Sequence, residues 1–471
     1  MILAIDQGTT GTTCLAVDED LRIAGRGYRE LNQSYPQPGW VEHDPEEILR
    51  TVHEAAADAL RAAGIAAGDL DAAGITNQRE TTVVWGRDGR PLHPAIVWQD
   101  RRTAARCREL PADLIRERTG LVPDPYFSAT KLEWLLARVG RDVRFGTVES
   151  WLAWNLTGGA AHVTDPTNAS RTLLARLDPV EWDPELLAVF GVPEEALPQI
   201  VPSSGVVGEA EIGGARVPLA GMAGDQQAAL FGQACFRPGE AKATYGTGSF
   251  VLANQGEAGA PPPHGILRTA AAQPGVTALE GAVFVTGAAV QWLRDGLGII
   301  AAAAETEALA RSVDSTGGVH FVPALTGLGS PHWDADARGL ISGITRGTGR
   351  AEIARAALEA IAFQTADVVA AMELPVPVLR ADGGATRNAW LMQFQADILG
   401  MPVEVAGDSE MTALGAAALA GLAVGVWGGL DEVAAAWHLG ARYEPRMSRD
   451  EAADRLAGWH AAVERARSSL R

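Results

Sequence analysis

The stretches Asp6-Gln7-Gly8-Thr9-Thr10-Gly11-Thr12 and Thr244-Tyr245-Gly246-Thr247-Gly248-Ser249 decide the fold, because each joins two short apolar runs through a tight turn. Both read as strand, turn, strand. Glycine lets backbone N–H groups approach an anion closely and threonine adds hydroxyl donors, so such a hairpin can hold a polyphosphate with no cationic side chain. Two of them predict two copies of one phosphate-gripping unit. The rival reading is a pair of ordinary glycine-containing hairpins. Repetition, and a carboxylate (Asp6) at the strand end, favour the functional one. A P-loop would need a Gly-rich turn closing on Lys-Ser or Lys-Thr, and the only lysines, Lys131 and Lys242, are not so placed. A dinucleotide fingerprint would need a helix where Cys14-Leu15-Ala16-Val17 reads as a returning strand.

A chain of 471 residues predicts two to four domains. With 47% hydrophobic and 21% charged residues it is globular, and a formal charge of −19 argues against a nucleic-acid partner, which needs a basic face. Any anionic ligand must be gripped locally. Cys14, Cys107 and Cys235 are odd in number and form no C-x-x-C pair, which predicts neither a disulfide framework nor a cysteine metal site and fits a reducing cytoplasm. The N-terminus has no basic flank, which predicts no secretion signal. The uncharged run from Ala413 to Leu430 is nearly long enough to span a bilayer, but its Ala and Gly content predicts a buried helix packed closely on a sheet and no membrane insertion.

Along the chain, strands are expected at Ile2 to Ile5, Cys14 to Val17, Ala72 to Thr76 and Ala95 to Trp98, with helices at Glu46 to Ala63 and Ser128 to Val139. Pro- and Gly-rich punctuation from Leu197 to Gly221 leads to a strand at Val217 to Ala220, then Gly224-Asp225-Gln226-Gln227 and a helix at Ala228 to Gly232. Arg237-Pro238-Gly239 reads as a linker, which sets the domains at 1–234 and 235–471. The strand-turn-strand programme then restarts at Ala241 to Thr244 and Phe250 to Ala253, as a duplicated domain would. Helices follow at Ala289 to Gly296, Ala351 to Met372 and Ala389 to Leu399, and a strand at Val376 to Arg380 feeds Ala381-Asp382-Gly383-Gly384. The pattern is α/β.

Further motifs carry a resemblance: Gly74-Ile75-Thr76-Asn77-Gln78-Arg79-Glu80-Thr81-Thr82, Trp98-Gln99-Asp100-Arg101-Arg102, Asp124-Pro125-Tyr126-Phe127-Ser128, Gly224 to Gln233 and Pro323 to Gly329. With the two turns, in this order and over essentially the whole chain, they resemble the glycerol kinases of the FGGY carbohydrate-kinase family. The resemblance implies two ribonuclease-H-like domains of the actin and hexokinase type around a central cleft. The first domain would bind glycerol and phosphate and the second the nucleotide. The implied activity is transfer of phosphate from ATP to glycerol, giving sn-glycerol 3-phosphate, the first step of glycerol degradation. Mg²⁺ would be the metal, and a homo-oligomer, dimer or tetramer, the assembly.

Glycerol is a small triol, so selectivity requires buried partners for its hydroxyls that a poorer substrate would leave unpaired. Arg79, Glu80, Tyr126, Asp225 and Gln226 are implied as those partners, with Trp98 and Phe250 walling the carbon side. Read singly, Arg79–Glu80 is more readily a surface ion pair, Trp98 and Phe250 core, and Tyr126 a loop anchor, while Asp225 suits a helix N-cap. The resemblance implies Asp225 as general base and Asp6, with Asp225, as the magnesium carboxylates. Thr9, Thr10 and Gly11 would grip phosphate from one domain and Gly246 and Thr247 from the other. Gly287, Gln291, Gly384 and Asn388 would line the nucleotide.

Two departures stand out. Where many family members continue the first turn with serines and an arginine that touches the phosphates, this chain has Gly11, Thr12 and Thr13. Ile212-Gly213-Gly214-Ala215-Arg216-Val217 is short where enterobacterial relatives carry a longer basic loop for fructose 1,6-bisphosphate, and Glu209 to Pro218 holds no histidine for phosphorylation. Both controls are expected to be absent. Three other readings stay open: an FGGY kinase for another polyol or ketose, a pseudokinase, and an actin- or Hsp70-like nucleotide-driven protein.

Overall fold

The computed structural model describes residues 1–257 and 259–468. Ile2-Leu3-Ala4-Ile5 is buried throughout, with Leu3 and Ile5 in one core and Ile2 and Ala4 in another, as period-2 alternation demands of a strand covered on both faces. That run begins β1 (Ile2–Gln7), which turns back into β2 (Gly11–Val17) and on into β3 (Ile23–Glu30), both pairs antiparallel. Helix α1 (Pro45–Ala63), capped by Asp44 with proline at its first turn and Gly64 left-handed at its end, leads to β4 (Ala72–Asn77), parallel to β1. After a long excursion bearing α2 (Ser128–Val139) and α3 (Val148–Leu156), the hairpin β5 (Ser204–Ile212) and β6 (Ala215–Gly224) completes a sheet of order β5-β6-β4-β1-β2-β3. Helix α4 (Asp225–Gly232) leaves the end of β6.

The second half repeats the programme. Strands β7 (Ala241–Tyr245), β8 (Ser249–Glu257), β9 (Leu267–Ala270) and β10 (Val276–Val283) are antiparallel neighbours, and α5 (Gly287–Asp295) and α6 (Arg350–Ala371) follow. Then come β11 (Leu379–Asp382), parallel to β7, α7 (Ala389–Leu399), β12 (Val403–Ala406), α8 (Met411–Val424), β13 (Leu439–Tyr443) and α9 (Arg449–Ala466). The sheet order is β9-β10-β8-β7-β11-β12-β13. Without their edge strands, β3-β2-β1-β4-β6 and β10-β8-β7-β11-β12 have the same topology, two antiparallel strands on one side of the first and two parallel strands on the other. This is the duplicated ribonuclease-H-like architecture expected, with each Gly/Thr turn between the first two strands of its sheet.

Helix α8 departs from a simple two-half division. Although late in the chain, it lies on the first sheet and on α4, and its residues share a core with Ile2, Ala4, Leu15 and Val17. The approach is so close that a Cβ at Gly415 would stand 1.9 Å from the Ala228 carbonyl oxygen. The uncharged run is therefore a buried helix, ending at Val424 where Gly425 turns left-handed. No helix among the described residues is long and apolar enough to cross a membrane.

Three local expectations differ from the structure. Only Ala95–Ile96 of Ala95 to Trp98 pairs as strand, because Trp98 turns away to reach Thr9. The strand expected from Val376 starts at Leu379, just past Pro375 and Pro377, which cannot donate to a ladder. The punctuation before Val217 hides β5, whose two-residue turn has both Gly213 and Gly214 left-handed, at φ 55° and 82°. The close packing of α8 yields a first prediction: Gly415→Val should lower the unfolding free energy on the order of 3 kcal/mol by overpacking against α4, measured by urea denaturation. An unchanged midpoint would contradict it.

Candidate active site

Asn77-Gln78-Arg79-Glu80-Thr81 emerges at the end of β4 and is buried throughout. Thr81 N–H donates to the Arg79 carbonyl at 2.7 Å, closing a three-residue turn around Glu80, whose φ is 64°. A left-handed glutamate is strained, and such strain persists only where the surroundings over-determine it. Here the determinants are ionic. Arg79 Nη1 and Nη2 donate to the two Glu280 oxygens at 2.6 and 3.0 Å, and Arg171 binds Glu280 at 3.0 Å and, through Nε, Glu80 at 2.6 Å. All four side chains are at most 1% exposed.

The quartet is charge-balanced, as burial of ions requires. Burial opposes the charge on Glu280, but Arg171 and Arg79 outweigh it and hold its carboxyl down to about 2. Burial dominates at Glu80 and raises its pKa despite the same two arginines. Glu280 belongs to β10 of the second sheet, so the quartet ties the two sheets together. Neither Glu280 nor Arg171 was selected from the sequence. Their partners lie 201 and 91 residues away, and no local pattern marks them.

The remaining acceptor residues surround this core. Arg79 Nε stands 3.2 Å from Asp225 Oδ1, Nη2 donates to the Tyr126 hydroxyl at 3.4 Å, and the guanidinium lies 5.8 Å from the centroid of the Phe250 ring. Asp225 is the first residue of α4, and the N-cap is Gly224, so the simple capping role does not account for it. Its carboxylate is 30% exposed, which leaves it open to a ligand. Gln226 follows, buried. Trp98 meets Tyr126 edge-on at 5.6 Å and donates its indole N–H to the Thr9 hydroxyl at 2.9 Å, linking this wall to the first Gly/Thr turn. Arg79 and Glu80 are thus not a surface pair. They stand 3.9 Å apart at their nearest, and each has a closer partner elsewhere.

In the first turn Gly8 N–H donates to the Gly11 carbonyl at 2.9 Å, and Thr10 is exposed at its tip. Gly11 has no room for a side chain: a Cβ would lie 2.6 Å from the Arg29 carbonyl and from the Tyr28 ring. Thr13 is buried in β2 opposite Asp6. Burial first, then the Asp225 and Glu410 carboxylates, push the Asp6 carboxyl up to about 8. In the second turn Gly246 and Thr247 are exposed, and their carbonyls accept from Gly287 and Thr286 N–H at 3.0 and 2.9 Å, seating the start of α5 on the turn. Gln291 is exposed on α5, Gly384 is exposed after β11, and Asn388 caps α7 through Leu391 N–H at 3.0 Å. The structure therefore brings together Asp6, Arg79, Glu80, Trp98, Tyr126, Asp225, Gln226 and Phe250 near the first turn. Gly246, Thr247, Gly287, Gln291, Gly384 and Asn388 lie on the second sheet's elements.

Two descriptions match the chain: the FGGY family of carbohydrate kinases, N-terminal domain, over residues 1–232, and C-terminal domain, over residues 241–424. The chain is 56% identical to the glycerol kinase of Aromatoleum aromaticum, across 99% of this chain and 98% of that protein. It is 53% identical to glycerol kinase 2 of Thermotoga maritima, across 98% of each. The structure of Plasmodium falciparum glycerol kinase with ADP superposes with a TM-score of 0.92 at 36% identity, covering 99% of this chain and 98% of that one. A xylulose kinase from Rhodospirillum rubrum gives 0.87 at 26% identity, covering 98% and 97%.

Removing one member of the quartet strands the others. Glu280→Gln should cost about 3 kcal/mol of stability at neutral pH, since two buried arginines lose a shared counter-charge. Because Glu280 is held at about 2 against an ordinary 4.5, its contribution is complete above 4.5 and fades as pH falls toward 2. Denaturant titrations of both proteins at neutral and acid pH should show the gap between them narrowing in acid.

Proposed function

The chain belongs to the FGGY family of carbohydrate kinases, and from that premise we infer that it transfers the γ-phosphoryl group of ATP to a terminal hydroxyl of glycerol, giving sn-glycerol 3-phosphate and ADP. The observation that carries this reading is the convergence of Arg79, Tyr126, Asp225 and Phe250 over a buried ionic floor, in a chain more than half identical to glycerol kinases. The pocket supplies charged and polar partners for a triol and aromatic faces for its carbon side.

Asp225 is the proposed general base. Arg79 Nε orients its carboxylate, which accepts the proton of the attacking hydroxyl as that oxygen bonds to the γ-phosphorus. Arg79, Glu80, Tyr126 and Gln226 orient glycerol, and Trp98 and Phe250 enclose it. Thr9, Thr10 and Gly11 hold phosphate from the first sheet and Gly246 and Thr247 from the second, while Gly287, Gln291, Gly384 and Asn388 receive the nucleoside side. Burial, and after it the Asp225 and Glu410 carboxylates, lift Asp6, and an oxygen-lined acidic site of this kind suits a hard cation, so Asp6 and Asp225 would hold Mg²⁺. When bound, that ion neutralises charge on the phosphates. Groups from both sheets complete the site, so closure excludes water and limits wasteful hydrolysis.

The domain limits 1–234 and 235–471, a cytoplasmic location and a homo-oligomer, dimer or tetramer, form part of the same proposal. So does the absence of the two controls: a two-residue turn at Gly213-Gly214 offers no basic loop for fructose 1,6-bisphosphate, which should leave the activity unchanged.

ADP release by the purified protein with Mg-ATP, with glycerol or with xylulose, erythritol or dihydroxyacetone, tests the reading. Glycerol should give the fastest turnover. A better rival acceptor would shift the assignment within the family, and release indifferent to every acceptor would sink it. Asp225→Asn should lower kcat on the order of 10²- to 10⁴-fold, with nucleotide affinity little changed. Thr13→Arg should raise kcat by less than about tenfold, since backbone donors and the second turn already serve the phosphates.

A further inference from the structure

Of the 39 lysines and arginines, only Lys131 and Lys242 are lysine, and both are completely buried. In a chain that uses arginine wherever a cation faces water, lysine kept in the interior marks a place where a compact, three-donor ammonium does what a planar guanidinium does not. Both places adjoin the acceptor pocket. Lys131, in the first turn of α2, donates to three successive carbonyls, those of Pro125, Tyr126 and Phe127, at 3.0, 2.7 and 2.9 Å. The three carbonyl oxygens match the three N–H donors of an ammonium, and the middle one belongs to the residue whose hydroxyl meets Arg79. Lys242, on β7 of the opposite sheet, donates to Gln226 Oε1 at 2.5 Å and to Thr244 Oγ1 at 2.9 Å. It thus fixes the amide beside Asp225 and ties it to the strand that carries the second Gly/Thr turn.

We propose that Lys131 and Lys242 are positioning residues for glycerol, one locking the Tyr126 wall from the first sheet's side and the other locking Gln226 from the second. Neither touches the reacting atoms. The inference rests on the assignment of this pocket to glycerol. Around Lys131 stand Glu80, Asp100, Asp124 and Cys107, and around Lys242 stand Asp382, Asp225, Arg79 and Glu280. Burial pushes both amines down to about 8, and the carboxylates around them oppose that shift.

The two-lysine composition makes the test direct. Wild-type protein labelled with ¹⁵N-lysine should show two side-chain Nζ resonances, both of which shift when glycerol is added without nucleotide. Lys131→Met and Lys242→Met should each raise the glycerol KM about tenfold or more while the ATP KM moves less than about threefold. Arginine at either position should not rescue. In a Tyr126→Ala background, Lys131→Met should add little further, the non-additivity expected of one residue acting through another. Resonances unmoved at saturating glycerol, or a glycerol KM unchanged in the Met variants, would overturn the proposal. The resonance test needs no variant to fold. Failure of the acceptor assignment itself would look different, as wild-type ADP release that glycerol does not stimulate.

Discussion

The site depends on one constraint: Arg79 is buried, always charged, and must be neutralised from the opposite sheet. Glu280 on the second sheet supplies that charge, Arg171 restores the balance, and Glu80 completes a quartet with no net charge. Buried ion pairs are poor stabilisers, because desolvation offsets most of the Coulomb gain. Their use here is geometric. The quartet forces Glu80 into a left-handed turn, points Arg79 Nε at Asp225, and makes the pocket a joint product of both sheets. A protein that needed only a stable interface would have used apolar side chains.

The duplicated topology explains why this suffices for phosphoryl transfer. Each sheet opens with a Gly/Thr turn at equivalent positions, and in the proposed function these two turns are the phosphate grips. Under that proposal, backbone N–H groups and hydroxyls serve where the resemblance implies an arginine at the position of Thr13. Helix α8, drawn from the second half of the chain onto the first sheet, makes the pairing of the halves part of a hydrophobic core as well as of an ionic one.

What was legible in the sequence was local. Helices Ser128–Val139 and Ala389–Leu399 were read at their observed limits because start and stop signals frame them. Both Gly/Thr turns and the restart at Ala241 were visible because a hairpin encodes itself within a few residues. The strand Ser204–Ile212 was not, since Ser204, Gly205 and Gly208 mimic loop composition. At the site, Arg79, Glu80 and Asp225 were found through motif, but Glu280 and Arg171 were missed because burial and pairing are tertiary properties. In the sequence the two lysines stand out only as failing a P-loop pattern. Their scarcity was the available signal, and it acquires meaning only with their burial.

In the proposed function, a site built from both sheets presents one terminal hydroxyl of glycerol to the phosphates. Glycerol is prochiral, so the most direct measurement is the stereochemistry of the product formed from ATP and unlabelled glycerol. A single enantiomer, sn-glycerol 3-phosphate, is expected. A racemic product, or phosphate on the central hydroxyl, would contradict it.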